Sequence, residues 1–250
     1  MCLCAGRNDA LRAVRILSPA RKRYLPDCNV QEMTMKPVEV TVTYDLICPW
    51  CWIAEHRLAE AIEAAGLAGA VNVRFVPFEL NPTMPAGGID RKAYRSAKFG
   101  SWARSQALDA HVADAGRAAG LVFDHARIAR TPNTRLAHRL VWFAQQHGSA
   151  VALVDALFAA YFRDGRDIGD ADVLVEIAAG AGLAGDAVRA FLASGEGLDA
   201  VVALEEAAVR DGIASVPSTR IGSTVVSGAQ PADVFRAALL DAQRARDRAA

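Results

Sequence analysis

The chain has 250 residues, 52% of them hydrophobic, enough for one large domain or two small ones around a packed core. Its 28 Lys and Arg balance 28 Asp and Glu, so no charge excess points to nucleic acid or an anionic membrane surface as a partner. No apolar run approaches the roughly 20 residues that span a bilayer.

Residues 1–35 differ from the rest. Arg7, Arg12, Arg15, Arg21, Lys22 and Arg23 crowd together with Cys2, Cys4 and Cys28, without sustained periodicity. A signal peptide needs a continuous apolar centre, and arginines interrupt Leu11 to Leu17. The stretch reads as a disordered leader. Met33 and Met35 stand just before the first strand and are candidate natural starts; on that hypothesis Cys2, Cys4 and Cys28 are incidental, and N-terminal sequencing of the native protein tests it.

An alternating run follows, Val40, Val42, Tyr44 and Leu46 against Thr41, Thr43 and Asp45, which predicts a strand. It stops at Cys48-Pro49-Trp50-Cys51. Beyond it, Ile53, Leu58, Ala61 and Ile62 recur at helical spacing until Gly66. The two cysteines therefore sit on a strand-to-helix turn, with Pro49 at the first helical position, where its missing N–H costs nothing. The unpaired N–H groups and positive end of a helix favour an anion, so Cys48 is expected to be an acidic thiol. Cys51, one turn along, is close enough to attack a mixed disulfide on Cys48. A zinc site would need a second ligand pair, and no second CxxC or spaced His pair follows. With the leader set aside these are the only cysteines of the folded body, which fits a reducing cytoplasm.

Val71, Val73, Phe75 and Val76 predict a second strand, parallel to the first if the helix between is a right-handed crossover. A loop, Leu80 to Gly88, leads into a pattern that is helical throughout, with helices expected at 90–97, 101–119, 133–147, 149–162, 170–181, 184–193 and 197–211. Strand periodicity returns at Ser218–Ile221, turns at Gly222-Ser223 and continues in Thr224–Ser227, a hairpin. A last helix, 231–245, is expected to face Val234, Phe235, Ala238 and Leu239 inward.

Several segments carry a resemblance: Asp45-Leu-Ile-Cys-Pro-Trp-Cys51, Asn81-Pro82 with Met84-Pro85, Asp90-Arg91 and Tyr94 leading to Lys98-Phe99-Gly100, and Asn133-Thr134 with Ala137-His138-Arg139-Leu140. Gly212-Ile213, Val216-Pro217-Ser218 and Ser227-Gly228-Ala229-Gln230-Pro231 extend it. In these the chain resembles the thioredoxin-fold proteins of the DsbA superfamily, in their cytoplasmic FrnE-like branch. The resemblance implies an α/β thioredoxin fold, a core of 36–79 and 213–245, with a large all-helical insertion, 80–212, between the second and third strands. It implies Cys48 as an exposed nucleophile and Cys51 as the resolving thiol. It further implies a cis Val216–Pro217 bond beside the CxxC, where the Val216 backbone pairs with a substrate strand. Pro49 and a partly exposed Trp50 complete the expected substrate-binding surface. Asp45 is read as a strand-end cap, and Lys98, Arg95, Asn133 and His138 as surface or core positions outside the catalytic set.

The expected activity is thiol–disulfide exchange on protein disulfides and dithiols, as oxidoreductase or isomerase. No cofactor or metal is expected beyond the redox-active Cys48–Cys51 pair, with glutathione a candidate co-substrate and glutathione or a thioredoxin system candidate electron donors. Neither a nucleic acid nor a membrane is expected as partner, and monomer and homodimer both stay open. The alternative is a glutathione-dependent small-molecule isomerase or transferase, similar to 2-hydroxychromene-2-carboxylate isomerase and kappa-class glutathione transferase, or a polyketide-pathway redox enzyme. Those relatives carry serine where this chain has Cys48.

Overall fold

The computed structural model describes residues 36–249; the leader 1–35, with Cys2, Cys4 and Cys28, lies outside the described residues. Strand β1, Val38–Tyr44, runs into the CPWC turn and helix α1, Pro49–Ala64, and a parallel strand β2, Val71–Pro77, pairs with β1 from Val38↔Val71 to Tyr44↔Pro77. The crossover expected between two parallel strands is thus α1 itself. The next segment opens with a two-residue strand, β3, Ile89–Asp90, and helices α2, Arg91–Phe99, and α3, Trp102–Ala118. A 3-10 turn, His125–Arg127, leads to a second two-residue strand, β4, Arg130–Thr131. Then come α4, Arg135–His147, α5, Val151–Phe162, α6, Ala171–Gly180, α7, Gly185–Ala193, and α8, Leu198–Arg210. The hairpin β5, Ser218–Ile221, and β6, Thr224–Ser227, and a last helix, α9, Ala232–Ala249, complete the chain.

The main sheet has the order β2-β1-β5-β6, with β5 antiparallel to both its neighbours. Ile221 pairs with Thr224, so Gly222-Ser223 is the two-residue turn that the sequence predicts. On one face, Val40, Val42 and Tyr44 are buried with Ile53 and Leu58 of α1 and Phe235 and Leu239 of α9. The opposite face, carrying Thr41, Thr43, Arg74 and Ser218, shares a cavity with Leu204 and Ala207 of α8. Both faces are therefore covered. Edge strand β2 is closed by Gln145 of α4, whose side-chain oxygen accepts from Phe75 N–H at 2.7 Å and whose amide donates to Phe75 C=O at 3.1 Å. An edge whose free backbone groups are taken in this way offers no template for another strand.

Two details depart from the sequence expectation. The insertion, expected to be helical throughout, also contains the β3–β4 ladder, Ile89↔Thr131 and Asp90↔Arg130. Gly88 sets its approach: its backbone is left-handed, φ +65°, and a Cβ there would meet the Thr131 carbonyl oxygen at 2.6 Å. Val234 faces solvent, 42% exposed, while Phe235, Ala238 and Leu239 of the same helix are buried. The inward stripe of α9 therefore starts one residue later than expected.

Candidate active site

Cys48 is the residue before α1, in extended conformation, and Pro49 is its first helical residue. The turn is held by backbone bonds, Cys48 N–H to Asp45 C=O and Cys51 N–H to Cys48 C=O, both 3.0 Å. Across from it the Val216–Pro217 peptide is cis, and the Val216 carbonyl oxygen lies 3.8 Å from Cys48 Sγ. Four of the six residues expected at the site, Cys48, Pro49, Trp50 and Val216, thus meet at one place, with Pro217 buried behind Val216. Cys51 lies deeper, 1% exposed. Burial first, then the neighbouring Cys48 sulfur, holds the Cys51 thiol well above its ordinary value, so it stays protonated at neutral pH. Both cysteines are free.

Cys48 is buried as well, at 5%, rather than exposed as expected. Its sulfur sits against the Val216 carbonyl oxygen at 3.8 Å on one side and lines a cavity on the other. Cys48, Pro49 and Trp50 form one wall of a cavity of about 290 Å³, and α2, α3 and their flanking loops supply the other. Trp50 is half-buried, with its ring 5.6 Å from that of His111 of α3. Below the turn, Trp52 donates its indole N–H to Asp155 of α5 at 2.8 Å and packs near-parallel against both Phe158 and Phe162, the three ring centroids about equally spaced at 6.1–6.3 Å. The start of α1 is thereby anchored to the insertion.

Asp45 does more than cap a strand end. Its side chain is fully buried and accepts from Leu80 N–H at 2.7 Å and Ile47 N–H at 3.4 Å, and it lies 3.3 Å from Nε2 of the equally buried His138. One carboxylate thus ties the CPWC turn, the first residues of the insertion and α4 together. His138, 93 residues away in sequence, carries no local signal that could have exposed this pairing.

The cavity wall also holds a cationic cluster. Arg91 and Arg95 share a single carboxylate, Asp109, at 2.8 and 2.7 Å, and Lys98 donates to the Tyr94 hydroxyl at 2.9 Å. His125, close by, is pulled down to about 4, chiefly by burial, and is neutral at pH 7.

A further buried acid, Glu55, stands one turn beyond Cys51. Burial, and then the charge of Asp155, push its carboxyl up from 4.5 to about 8. An acid whose folded pKa exceeds its unfolded value binds more protons in the folded state, so it lowers stability as pH rises through that window. Glu55→Gln should therefore match the wild type at pH 4 and exceed it at pH 7 by on the order of 3 kcal/mol. Urea unfolding at the two pH values checks this; a difference that is the same at both contradicts it.

The family model of the DSBA-like thioredoxin domain matches residues 39–240. The chain belongs to this family. Among its relatives is the uncharacterized protein YwbO of Bacillus subtilis (strain 168), 29% identical over 208 residues, which span 83% of this chain and 98% of YwbO. The crystal structure of a probable DsbA oxidoreductase from Streptomyces coelicolor is 34% identical, with a TM-score of 0.75 over 83% of this chain and 90% of that one. The cytosolic disulfide reductase DsbM of Pseudomonas aeruginosa, 22% identical, shares the fold, with a TM-score of 0.61 over 83% of this chain and 99% of its own. Of the four insertion residues that sequence reasoning set aside, Arg95 and Lys98 line the cavity and His138 backs Asp45, whereas Asn133 holds the loop before α4, donating to Met84 C=O at 2.7 Å. Among the described residues, no helix is long and apolar enough to cross a membrane.

Proposed function

We propose that this DsbA-like oxidoreductase carries out thiol–disulfide exchange on protein disulfides and dithiols, with Cys48 as nucleophile and Cys51 as resolving thiol. The observation that carries this reading is the placement of Cys48 Sγ at a helix start, 3.8 Å from the carbonyl oxygen of the residue before a cis proline, with a second thiol one turn behind.

The Cys48 thiolate attacks one sulfur of the substrate disulfide; the other leaves as a thiolate and takes a proton. Cys51 then loses its proton and attacks Cys48 Sγ, forming Cys48–Cys51 and releasing the second substrate thiolate. The substrate gains two electrons and the dithiol loses two. Glutathione or a thioredoxin system returns them, and the reverse sequence oxidises a dithiol. The backbone of Val216 offers an incoming strand its hydrogen bonds, Pro49 and Trp50 give it apolar contact, and buried Pro217 supports Val216 rather than touching the substrate. Free cysteines and the absence of a structural disulfide among the described residues favour a reducing, cytoplasmic compartment.

The test is trapping. Cys51→Ala, used reduced, should complete the attack and stall, so that disulfide-linked complexes with a disulfide-bonded substrate such as native insulin accumulate on non-reducing gels. Absence of such complexes, with Cys48 still reactive toward small disulfides, contradicts a protein substrate and leaves the second reading, a small-molecule enzyme using glutathione. That reading draws support from the partly enclosed cavity beside Cys48.

A further inference from the structure

The cavity beside Cys48 has a chemistry that a protein strand docked at Val216 does not use. Its wall is largely apolar, with Ile47, Phe99, Leu108 and Val112 facing Trp50. Its volume of about 290 Å³ lies at the lower end of small-molecule pockets, roughly 300–1,000 Å³. Three cations, Arg91, Arg95 and Lys98, share this space with one carboxylate. Each oxygen of Asp109 is taken by a different arginine, and among the described residues no carboxylate lies within 4.0 Å of Lys98. Instead, Lys98 is positioned by the Tyr94 hydroxyl at 2.9 Å and lies over the Tyr94 ring at 5.4 Å. Neutral His125 adds no counter-charge, so the cavity holds an excess of about two positive charges beside an apolar surface. Lys98 is exposed at the mouth of this cavity while Arg91 is buried and Arg95 half-buried, so the excess draws an anion toward the opening.

We propose that the cavity is a second substrate subsite, for a low-molecular-weight disulfide with a ring-sized apolar body and a carboxylate, whose carboxylate meets Lys98 and Arg95 while its sulfur is presented to Cys48. This rests on Cys48 being the nucleophile. The thiolate attacks the near sulfur and expels the far half as a thiolate; Cys51 then displaces the bound half from Cys48 with loss of its own proton. One disulfide becomes two thiols as the Cys48–Cys51 dithiol becomes a disulfide.

The experiment compares two aromatic disulfides, 5,5′-dithiobis(2-nitrobenzoate), which carries two carboxylates, and neutral 4,4′-dithiodipyridine, in stopped-flow reaction with the reduced protein. Lys98→Met should lower the rate with the dianion about tenfold and leave the neutral probe within twofold. Lys98→Arg should restore it, and added salt should slow only the dianion. Equal changes with both probes, or none with the dianion, overturn the proposal. Oxidised glutathione, anionic but not aromatic, tests the apolar body; if it reacts faster than the aromatic dianion with the same Lys98 dependence, that part fails. Because Cys2, Cys4 and Cys28 are themselves thiols that such probes can titrate, every variant is made on a background in which these three are serine. On that background Cys48→Ser separates the two claims: loss of reaction with both probes upholds the nucleophile whatever Lys98 does, and persistence of reaction overturns the exchange reading itself.

Discussion

Cys48→Ser should reduce the reduction of insulin disulfides to the uncatalysed background. A serine hydroxyl is scarcely ionised at neutral pH and has no affinity for a disulfide sulfur, whereas a thiolate is the attacking species in every exchange step. Among the described residues no other group can take over. Cys51 is 1% exposed and its thiol is held protonated by burial and by its neighbour, so a substrate sulfur does not reach it. The substitution changes one atom at a position 5% exposed, so the fold should persist, and circular dichroism checks that it does. Activity retained by a folded Cys48→Ser protein would mean that exchange proceeds elsewhere.

The largest effect on stability is expected at Asp45. Asp45→Ala removes the acceptor of Leu80 and Ile47 N–H and the partner of His138, all inside the protein. Breaking a buried pair from one side costs about 3 to 5 kcal/mol, because the groups left behind stay dehydrated. Asp45→Asn keeps an oxygen for the backbone donors and should lose roughly half as much. Denaturant midpoints of the three proteins check the order. Because the Asp45 side chain also accepts from Ile47 N–H, next to Cys48 in the turn, the alanine variant should lose exchange rate along with stability. A loss below about 1 kcal/mol would leave Asp45 no more important than an exposed polar residue.

Much of the architecture could be read locally. The period-two run of β1, the Pro at the start of α1, the return of strand periodicity at Ser218 and the turn at Gly222 are features of neighbouring residues, and each has its element in the fold. Two-residue strands are another matter. Ile89–Asp90 and Arg130–Thr131 are too short to hold a period, and their pairing joins residues some forty apart. The burial of Cys48 was equally illegible, since its sulfur lies against Val216, 168 residues away, and the cavity it lines is walled by α2 and α3, which by themselves read as amphipathic helices. Lys98 is the surface lysine that the sequence suggests, exposed on α2, and only the fold shows that this surface is also the rim of the cavity that Cys48 lines. Asp45 lay in plain view next to the motif, but its role depends on His138 of α4. Residues that act through local backbone geometry were visible; those that act through packing between core and insertion were not.

The most direct test of the exchange chemistry is the redox equilibrium of the two cysteines. The protein is equilibrated with a series of reduced and oxidised glutathione, quenched by acid and alkylation, and the peptide that contains Cys48 and Cys51 is weighed. One cooperative transition between a doubly alkylated peptide and an unalkylated Cys48–Cys51 disulfide, reversible from either side, is the result that a dithiol exchange site requires. A peptide that remains doubly alkylated across the series, or that ends only as a stable glutathione adduct on Cys48, would contradict it.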